Sequence, residues 1–222
     1  MGETVKLTAN DGHSFDAYVA RPAEQPKAGL VVVQEIFGVN VHIRGVADSY
    51  AAEGFLAIAP ALFDRVEPGI ELGYDKDDIA QGRAIRRKID YDQALADIAA
   101  AMGFLAGAGK VGVIGYCWGG SLAWLAATRL NPAAAVGYYG GDVYEFRNEQ
   151  PTCPVMLHFG EEDSGIPLDQ VKDVAEAQSE AEIFTYPGAG HGFNCEMRGS
   201  YHAESAGIAR ERTLAFLNRC IV

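Results

Sequence analysis

Short, wholly apolar runs alternate with amphipathic segments along this 222-residue chain, and this alternation constrains the fold more than any other feature. Runs such as Leu30–Val33 and Val111–Ile114 are apolar at successive positions, which is typical of strands buried on both faces. Such strands form parallel sheets whose connecting helices cover both faces. Because no repeat, linker or low-complexity stretch interrupts the pattern, we expect one α/β domain over residues 1–222 with a mostly parallel central sheet.

The individual elements can be placed from the same pattern. Apolar runs bounded by turn formers predict strands at Phe15–Ala20, Gly29–Gln34, Leu56–Ala59, Val111–Gly115, Ala134–Tyr138, Val155–Phe159 and Glu182–Tyr186. Amphipathic segments predict helices at Ile43–Glu53, Asp77–Leu105, Gly119–Leu130, Leu168–Glu180 and His202–Asn218. The Asp11-Gly12 turn signal favours an antiparallel hairpin around the first strand. The charged stretch Phe63–Asp78 should pass over one edge of the sheet, a common place for substrate contacts.

Composition narrows the range of functions. The net charge of −12 argues against a nucleic-acid partner, and an anionic small substrate would need a local group of arginines. No apolar run is long enough to span a membrane, and the N-terminus has no apolar signal-peptide region. The 4 cysteines show no metal-ligand spacing. We therefore expect a cytoplasmic protein, a monomer or small homo-oligomer, without metal, membrane or nucleic-acid partner.

The segment Gly115–Gly120 carries the motif with the clearest chemistry. It reads G-x-C-x-G, follows the predicted strand at Val111 and opens a predicted helix, so it matches the nucleophile elbow of α/β hydrolases with Cys117 in place of serine. Glycines are needed there because side chains would collide at the sharp turn. A thiol at a helix N-terminus sits in partial positive charge, which favours thiolate and a developing oxyanion. Cys117 is therefore the predicted nucleophile.

The partners of such a nucleophile occur in the expected chain order, acid and then histidine. Asp163 lies just after the strand predicted at Val155, and His191 lies in a glycine-rich loop after the strand predicted at Glu182. Both follow carboxyl ends of strands, where sites of α/β sheets gather. His191 would take the thiol proton, and Asp163 would orient the imidazole and stabilise its charged form.

Other residues compete for these roles. Glu161 and Glu162 are alternative acids, although they come earlier in the loop. His158 lies within a strand and fits a hydrogen-bonded core residue, while His202 opens a helix and fits a cap or a surface residue. A zinc site that combines His158, Asp163 and His191 lacks a supporting helical histidine pair, so no cofactor is expected.

Taken together, these segments resemble the dienelactone hydrolase (carboxymethylenebutenolidase) family over nearly the whole chain, from about residue 5 to the C-terminus. The resembling segments are Gln34–Gly38, Ala135–Gly140, Gly115–Cys117, Gly190–Phe193 and Glu211–Leu214. The resemblance implies an α/β-hydrolase fold with helices on both faces of the sheet. It also implies that the chain hydrolyses a small enol-lactone or ester through an acyl-thioester on Cys117.

The resemblance implies further roles. Glu35 would be a second carboxylate that turns toward the thiol when substrate binds, and the backbone N–H groups of Ile36 and Trp118 would form the oxyanion hole. Phe37 and Tyr139 would contact the substrate.

Two departures from the family pattern put the substrate in question. The well-known relatives have a serine directly after the catalytic histidine and an arginine four residues beyond that histidine, where this chain has Gly192 and Cys195. Arg198, or Arg83 on the helix before the nucleophile, would then have to bind an anionic substrate and pair with Glu35, and Arg86 and Arg87 compete with Arg83. A general hydrolase of neutral esters or thioesters is the alternative within enzymes. A thiol sensor without turnover is the alternative outside them.

Overall fold

An antiparallel hairpin opens the chain, as its turn signal predicts. In the computed structural model, which describes residues 2–222, Glu3 pairs with Val19 and Thr8 pairs with Ser14. Gly12 adopts a φ of 86° at the tip, a left-handed conformation that glycine takes without strain. The first strand of the hairpin alternates exposed and half-buried residues, so it lacks the apolar run by which the other strands are found.

The residues up to Val113 form the first of two compact units. Its strands are β1 (Glu3–Thr8), β2 (Ser14–Ala20), β3 (Ala28–Val33) and β4 (Phe55–Pro60). They lie in the order β1-β2-β4-β3, with β3 and β4 parallel and the other pairs antiparallel. Its helices are α1 (Val41–Ala52), α2 (Lys76–Arg86) and α3 (Tyr91–Leu105). Both β3 and β4 are buried at every position, which agrees with their unbroken apolar sequence.

The single helix predicted over Asp77–Leu105 is wrong. The chain leaves α2 after Arg86, makes two short turns and begins α3 at Tyr91. Asp90 starts the new helix through a capping box, because its backbone N–H donates to the Gln93 side chain at 3.0 Å. Aspartate favours such caps over a helix interior, and this local preference interrupts an otherwise continuous periodicity.

The residues from Ile114 to Val222 form the second unit. The strands that follow are β5 (Val111–Tyr116), β6 (Ala134–Tyr138), β7 (Val155–Gly160) and β8 (Glu182–Tyr186), in that order. The pairs β6–β7 and β7–β8 are parallel. The helices are α4 (Trp118–Arg129), α5 (Leu168–Ala177) and α6 (Ala203–Cys220). Because parallel strands end at the same edge, the loops after these strands meet there.

The helix α5 ends earlier than predicted. Gln178 leaves the helix and is buried, and its side-chain amide donates to the backbone carbonyls of Arg147 and Glu149. This tertiary contact outweighs the local helical periodicity, which continues to Glu180. Among residues 2–222, no helix has the length and apolar character to cross a membrane. The predicted single domain stays a prediction.

Candidate active site

The nucleophile elbow lies between β5 and α4. Cys117 directly follows β5 and adopts a φ of 55°, which is rare for a residue with a side chain. Its backbone N–H donates to the Tyr138 carbonyl at 2.9 Å, and its own carbonyl accepts from the N–H groups of Gly120 and Ser121. These bonds hold the strained turn in place and leave the thiol partly exposed at the start of the helix.

Glycine is required on the strand side of the elbow because backbone passes close to it. A Cβ atom built on Gly115 would lie 3.0 Å from the Gly120 nitrogen and closer still to the Gly119 backbone. Real Cβ atoms essentially never approach so closely, and backbone atoms cannot swing away as a side chain can. The steric reason that the sequence suggests for the glycines of this motif is therefore confirmed at Gly115.

Three side chains of the second unit form a continuous hydrogen-bonded line. The Nε2 atom of His191 lies 3.1 Å from the Sγ atom of Cys117, and its Nδ1 atom lies 2.7 Å from an Oδ atom of Asp163. The second carboxylate oxygen of Asp163 accepts the Gly165 N–H at 2.9 Å. This is the arrangement in which an acid orients a histidine and the histidine exchanges a proton with a nucleophile.

The electrostatics of His191 favour its charged form. Burial alone would lower the pKa of its imidazole, but the neighbouring Cys117 thiolate and the Asp163 carboxylate together raise that pKa to about 10. The charged imidazolium is therefore the favoured form of His191 near neutral pH. The His191 side chain is 30% exposed and the Asp163 side chain only 1%, so the acid is shielded from water while the histidine faces it.

The competing acids and histidines have other partners. Glu161 accepts a hydrogen bond from the Thr185 hydroxyl at 2.8 Å, and both Glu161 and Glu162 are exposed. Among these three acids, Asp163 is the one that contacts His191. His202 caps α6 by accepting the Ser205 N–H, as one of its two suggested roles requires.

His158 is fully buried, and both of its ring nitrogens are hydrogen-bonded in the core, to Tyr186 at 2.8 Å and to Thr213 at 3.0 Å. The interpretation of His158 as a core residue is therefore confirmed. These bonds leave no nitrogen of His158 for a zinc ion shared with Asp163 and His191.

Tyr139 packs against the ring of His191, and Trp118 directly follows Cys117 in the chain. Tyr139 is buried, has a φ of 39°, and places its ring 5.2 Å from that of His191. Trp118 is the first residue of α4, and the N–H groups of a first helical turn point out of the helix toward the residue before it. The substrate-contact and oxyanion-hole roles that the resemblance implies for these two residues stay predictions.

The segment that follows β3 belongs to the first unit. Glu35 is fully buried, Ile36 is half-buried, and the Phe37 ring packs at a tilt against that of Tyr74, with the ring centroids 4.6 Å apart. The Leu72 N–H donates to the Phe37 carbonyl at 2.9 Å, so the segment 69–74 of the charged excursion packs on this turn.

The candidate arginines differ in their surroundings. Arg83 is exposed in the last turn of α2, and Arg86 bonds to the Tyr91 hydroxyl. Arg198 is half-buried, and its guanidinium lies against Gly192, the residue directly after His191. Of the two arginines proposed for the substrate, the structure thus places Arg198 beside the histidine loop.

The sequence does not predict one hydrogen bond in this loop, between Ser200 and the backbone of His191. The Ser200 hydroxyl donates to the backbone carbonyl of His191 at 2.7 Å and so ties the histidine to a turn nine residues later. Nothing in the sequence pattern points to Ser200, because a single serine in a loop has no periodicity or motif. Gly165, which binds Asp163, was missed for the same reason.

Comparisons with known proteins agree with this geometry. The sequence profile of the Dienelactone hydrolase family matches residues 15–221. A carboxymethylenebutenolidase of Pseudomonas putida is 33% identical over 98% of this chain and 96% of its own length, and one of Pseudomonas knackmussii matches equally. A Klebsiella pneumoniae protein classed with the dienelactone hydrolases has a solved structure that superposes with a TM-score of 0.79 at 32% identity, covering 96% of this chain and 98% of its own.

Proposed function

Because this chain belongs to the dienelactone hydrolase family and has the α/β-hydrolase fold, we propose that it hydrolyses a small enol-lactone or ester through an acyl-thioester on Cys117. The hydrogen-bonded line of Cys117, His191 and Asp163 at a strained elbow is the observation that carries this proposal. The two Pseudomonas relatives carry the name carboxymethylenebutenolidase.

In the proposed first step the Cys117 thiolate attacks the substrate carbonyl. A carbon–sulfur bond forms, and the carbonyl electrons move to the oxygen, which the N–H groups of Trp118 and Ile36 would stabilise. The carbon–oxygen bond of the ester or lactone ring then breaks as the oxyanion collapses. The Nε2–H of His191 gives its proton to the leaving oxygen, and Asp163 keeps the imidazole aligned.

In the second step water releases the acyl group. Neutral His191 takes a proton from the water, and the resulting hydroxide attacks the thioester carbonyl. The carbon–sulfur bond breaks, and Cys117 returns to thiolate beside the imidazolium. The raised pKa of His191 is consistent with a resting ion pair of this kind. Glu35 is proposed to assist thiolate formation when substrate binds, as the family resemblance implies.

The substrate class is proposed to be anionic. Arg198 lies on the loop that carries His191, and its planar guanidinium suits a carboxylate. Phe37 and Tyr139, both buried aromatic residues, are the proposed apolar contacts, and Arg83 is a second, exposed cation. A neutral ester is the alternative substrate. It would be favoured if removal of the Arg198 charge changed nothing.

A thiol sensor without turnover is the alternative from another class. Such a protein needs a reactive thiol but no buried acid aligned on its histidine, and Asp163 is both buried and aligned here. A cytoplasmic location is also proposed, since none of the four cysteines, all within the described residues, forms a disulfide. The proposed assembly is a monomer or small homo-oligomer.

The test is a substrate panel of enol-lactones and 4-nitrophenyl esters, run on the wild type and on Cys117 variants. We expect Cys117→Ala to lose all hydrolysis while it keeps the wild-type fold. Cys117→Ser should fold and be much slower, because a serine proton is far harder to remove. Cys153→Ala and Cys220→Ala serve as controls and should retain turnover. Full activity in Cys117→Ala would contradict the mechanism, and stoichiometric alkylation of Cys117 without any turnover would favour the sensor.

A further inference from the structure

The loop that follows His191 folds back on its own beginning. The Cys195 N–H donates to the Gly192 carbonyl at 3.0 Å, and the Arg198 N–H donates to the Cys195 carbonyl at 3.1 Å. These two consecutive turns return the chain toward Gly192. The His202 N–H closes the loop on the Phe193 carbonyl at 3.0 Å. The position of Arg198 is therefore set by the backbone of the loop.

The guanidinium of Arg198 occupies the space that a side chain at position 192 would need. A Cβ atom built on Gly192 would lie 2.6 Å from the Cζ atom of Arg198 and 2.8 Å from its Nε atom. Glycine also suits this position because its φ is 78°. A side chain at 192 and a guanidinium in its observed place are thus mutually exclusive.

The collision would be resolved by the arginine. Its guanidinium is the far end of a flexible side chain, whereas the backbone of the loop is held by the hydrogen bonds described above. A substitution at 192 should therefore turn the guanidinium away and leave the loop folded. The positive charge beside Gly192 would move although no charged residue had been changed.

We propose that Gly192 determines the charge preference of the enzyme, because its missing side chain gives the Arg198 guanidinium a fixed place beside the histidine loop, where it selects esters that carry a carboxylate. This inference rests on the proposed hydrolase function and adds a specificity-determining residue to it. A guanidinium has five N–H donors, so one edge can bind a substrate carboxylate while another keeps a protein partner.

The test compares two 4-nitrophenyl esters whose acyl chains have equal length and end in a carboxylate or a methyl group, the hydrogen succinate and the butyrate. The measured quantity is the ratio of their kcat/KM values. Arg198→Met, which keeps the aliphatic stem, should lower this ratio about tenfold, as expected for one charge-assisted hydrogen bond. Gly192→Ala should lower the ratio by a similar factor, and the double variant should lower it no further.

Gly188→Ala is the matched control. Gly188 lies on the same loop with a φ of 74°, so alanine there introduces the same backbone strain, but its nearest neighbour is at an ordinary 3.5 Å. Strain alone would lower kcat for both esters and leave the ratio within about twofold. Gly192→Asn is a second variant that tolerates a positive φ better than alanine and still fills the space.

Each outcome is distinct. The inference is overturned if Gly192→Ala and Gly192→Asn keep the wild-type ratio, if Arg198→Met keeps it, or if the effects of the two substitutions simply add. It is also overturned if the wild type does not prefer the anionic ester. Failure of the proposed function gives a different result, namely hydrolysis of both esters that persists in Cys117→Ala.

Discussion

Two histidines of the second unit show how the same side chain is used in opposite ways. His191 lies in a loop, is partly exposed, and contacts the anionic groups of Asp163 and Cys117, so its pKa is raised to about 10. His158 lies inside β7, and burial together with the Arg212 guanidinium lowers its pKa to about 3. Hydrogen bonding alone does not make a histidine catalytic, since both rings are bonded at both nitrogens.

The hydrogen bonds around His158 form a chain in which each group donates to the next, beginning at Arg212. Arg212 donates to the Tyr186 hydroxyl at 3.2 Å, which leaves the Tyr186 O–H to donate to Nδ1 of His158. The neutral imidazole then carries its proton on Nε2 and donates to the Thr213 hydroxyl, which donates in turn to Tyr138. Both ring nitrogens of His158 are thereby hydrogen-bonded, which is what a buried polar group requires. Its role is structural, whereas the line through His191 ends on a reactive thiol.

The largest expected effect comes from removal of the loop histidine. His191→Ala should lower kcat/KM by about 10³ or more, because the thiolate loses its counter-charge and the leaving oxygen loses its proton donor. The variant should remain folded, although near neutral pH it loses the stabilisation that accompanies the raised pKa of His191. Steady-state kinetics and chemical denaturation give the two numbers. A variant with wild-type kcat/KM but greatly lowered stability would reverse the comparison.

The acid that orients His191 should show the next largest effect. Asp163→Asn should lower activity comparably to His191→Ala or somewhat less, because asparagine can hold the ring in the wrong tautomer. Glu162→Gln is the matched control on the same loop and should stay near the wild-type rate, since Glu162 is exposed. If Glu161→Gln or Glu162→Gln proved more damaging than Asp163→Asn, the acid would have been assigned incorrectly.

The two histidines should also shape stability in opposite pH ranges. His158 is neutral when folded and titrates near 6.5 when unfolded, so its contribution is complete above pH 6.5 and falls by roughly 1.4 kcal/mol per pH unit as the pH drops toward 3. The raised pKa of His191 gives the reverse sign. Its contribution is complete below pH 6.5 and disappears as the pH rises through about 10.

The free energy of unfolding, measured by chemical denaturation across this pH range, tests both contributions. In His158→Gln the loss of stability at acid pH should become smaller, and in His191→Gln the loss at alkaline pH should become smaller. If His158→Gln lost as much stability at acid pH as the wild type does, other groups would be responsible for that loss.

The smallest effect on activity should come from a change at Thr213, which belongs to the core network and does not contact the active-site side chains. Thr213→Val keeps the shape of the side chain but leaves Nε2–H of His158 without its acceptor, which should destabilise the protein by about 1–3 kcal/mol. Activity should remain within a few fold of wild type. A large loss of kcat with unchanged stability would instead place the network in the catalytic machinery.

The reacting residues carry stronger sequence signals than the residues of the core network. The strand positions follow from unbroken apolar runs, and Cys117, Asp163 and His191 follow from the elbow motif and from positions at strand ends. These signals are local in the sequence. The break between α2 and α3 was missed because a single capping aspartate, Asp90, outweighs a long periodicity.

Contacts that depend on tertiary folding left no sequence signal. Thr213 and Ser200 lie 55 and 9 residues from the histidines that they bond, and neither belongs to a motif. The position of Arg198 against Gly192 likewise depends on how two turns close. The sequence therefore predicts the reacting groups better than the groups that hold or tune them.

The positive φ of Cys117 exposes the nucleophile for catalysis and, at the same residue, lowers the stability of the fold. A non-glycine residue held in this region carries a strain of about 1–2 kcal/mol, which the surrounding hydrogen bonds must maintain. Cys117→Gly would relieve that strain and remove the nucleophile at once. A selection for thermal tolerance that ignored turnover would then tend to accept this substitution. Selection for hydrolysis would reject the same substitution. Cysteine should therefore persist at this position only for as long as the chain acts as an enzyme.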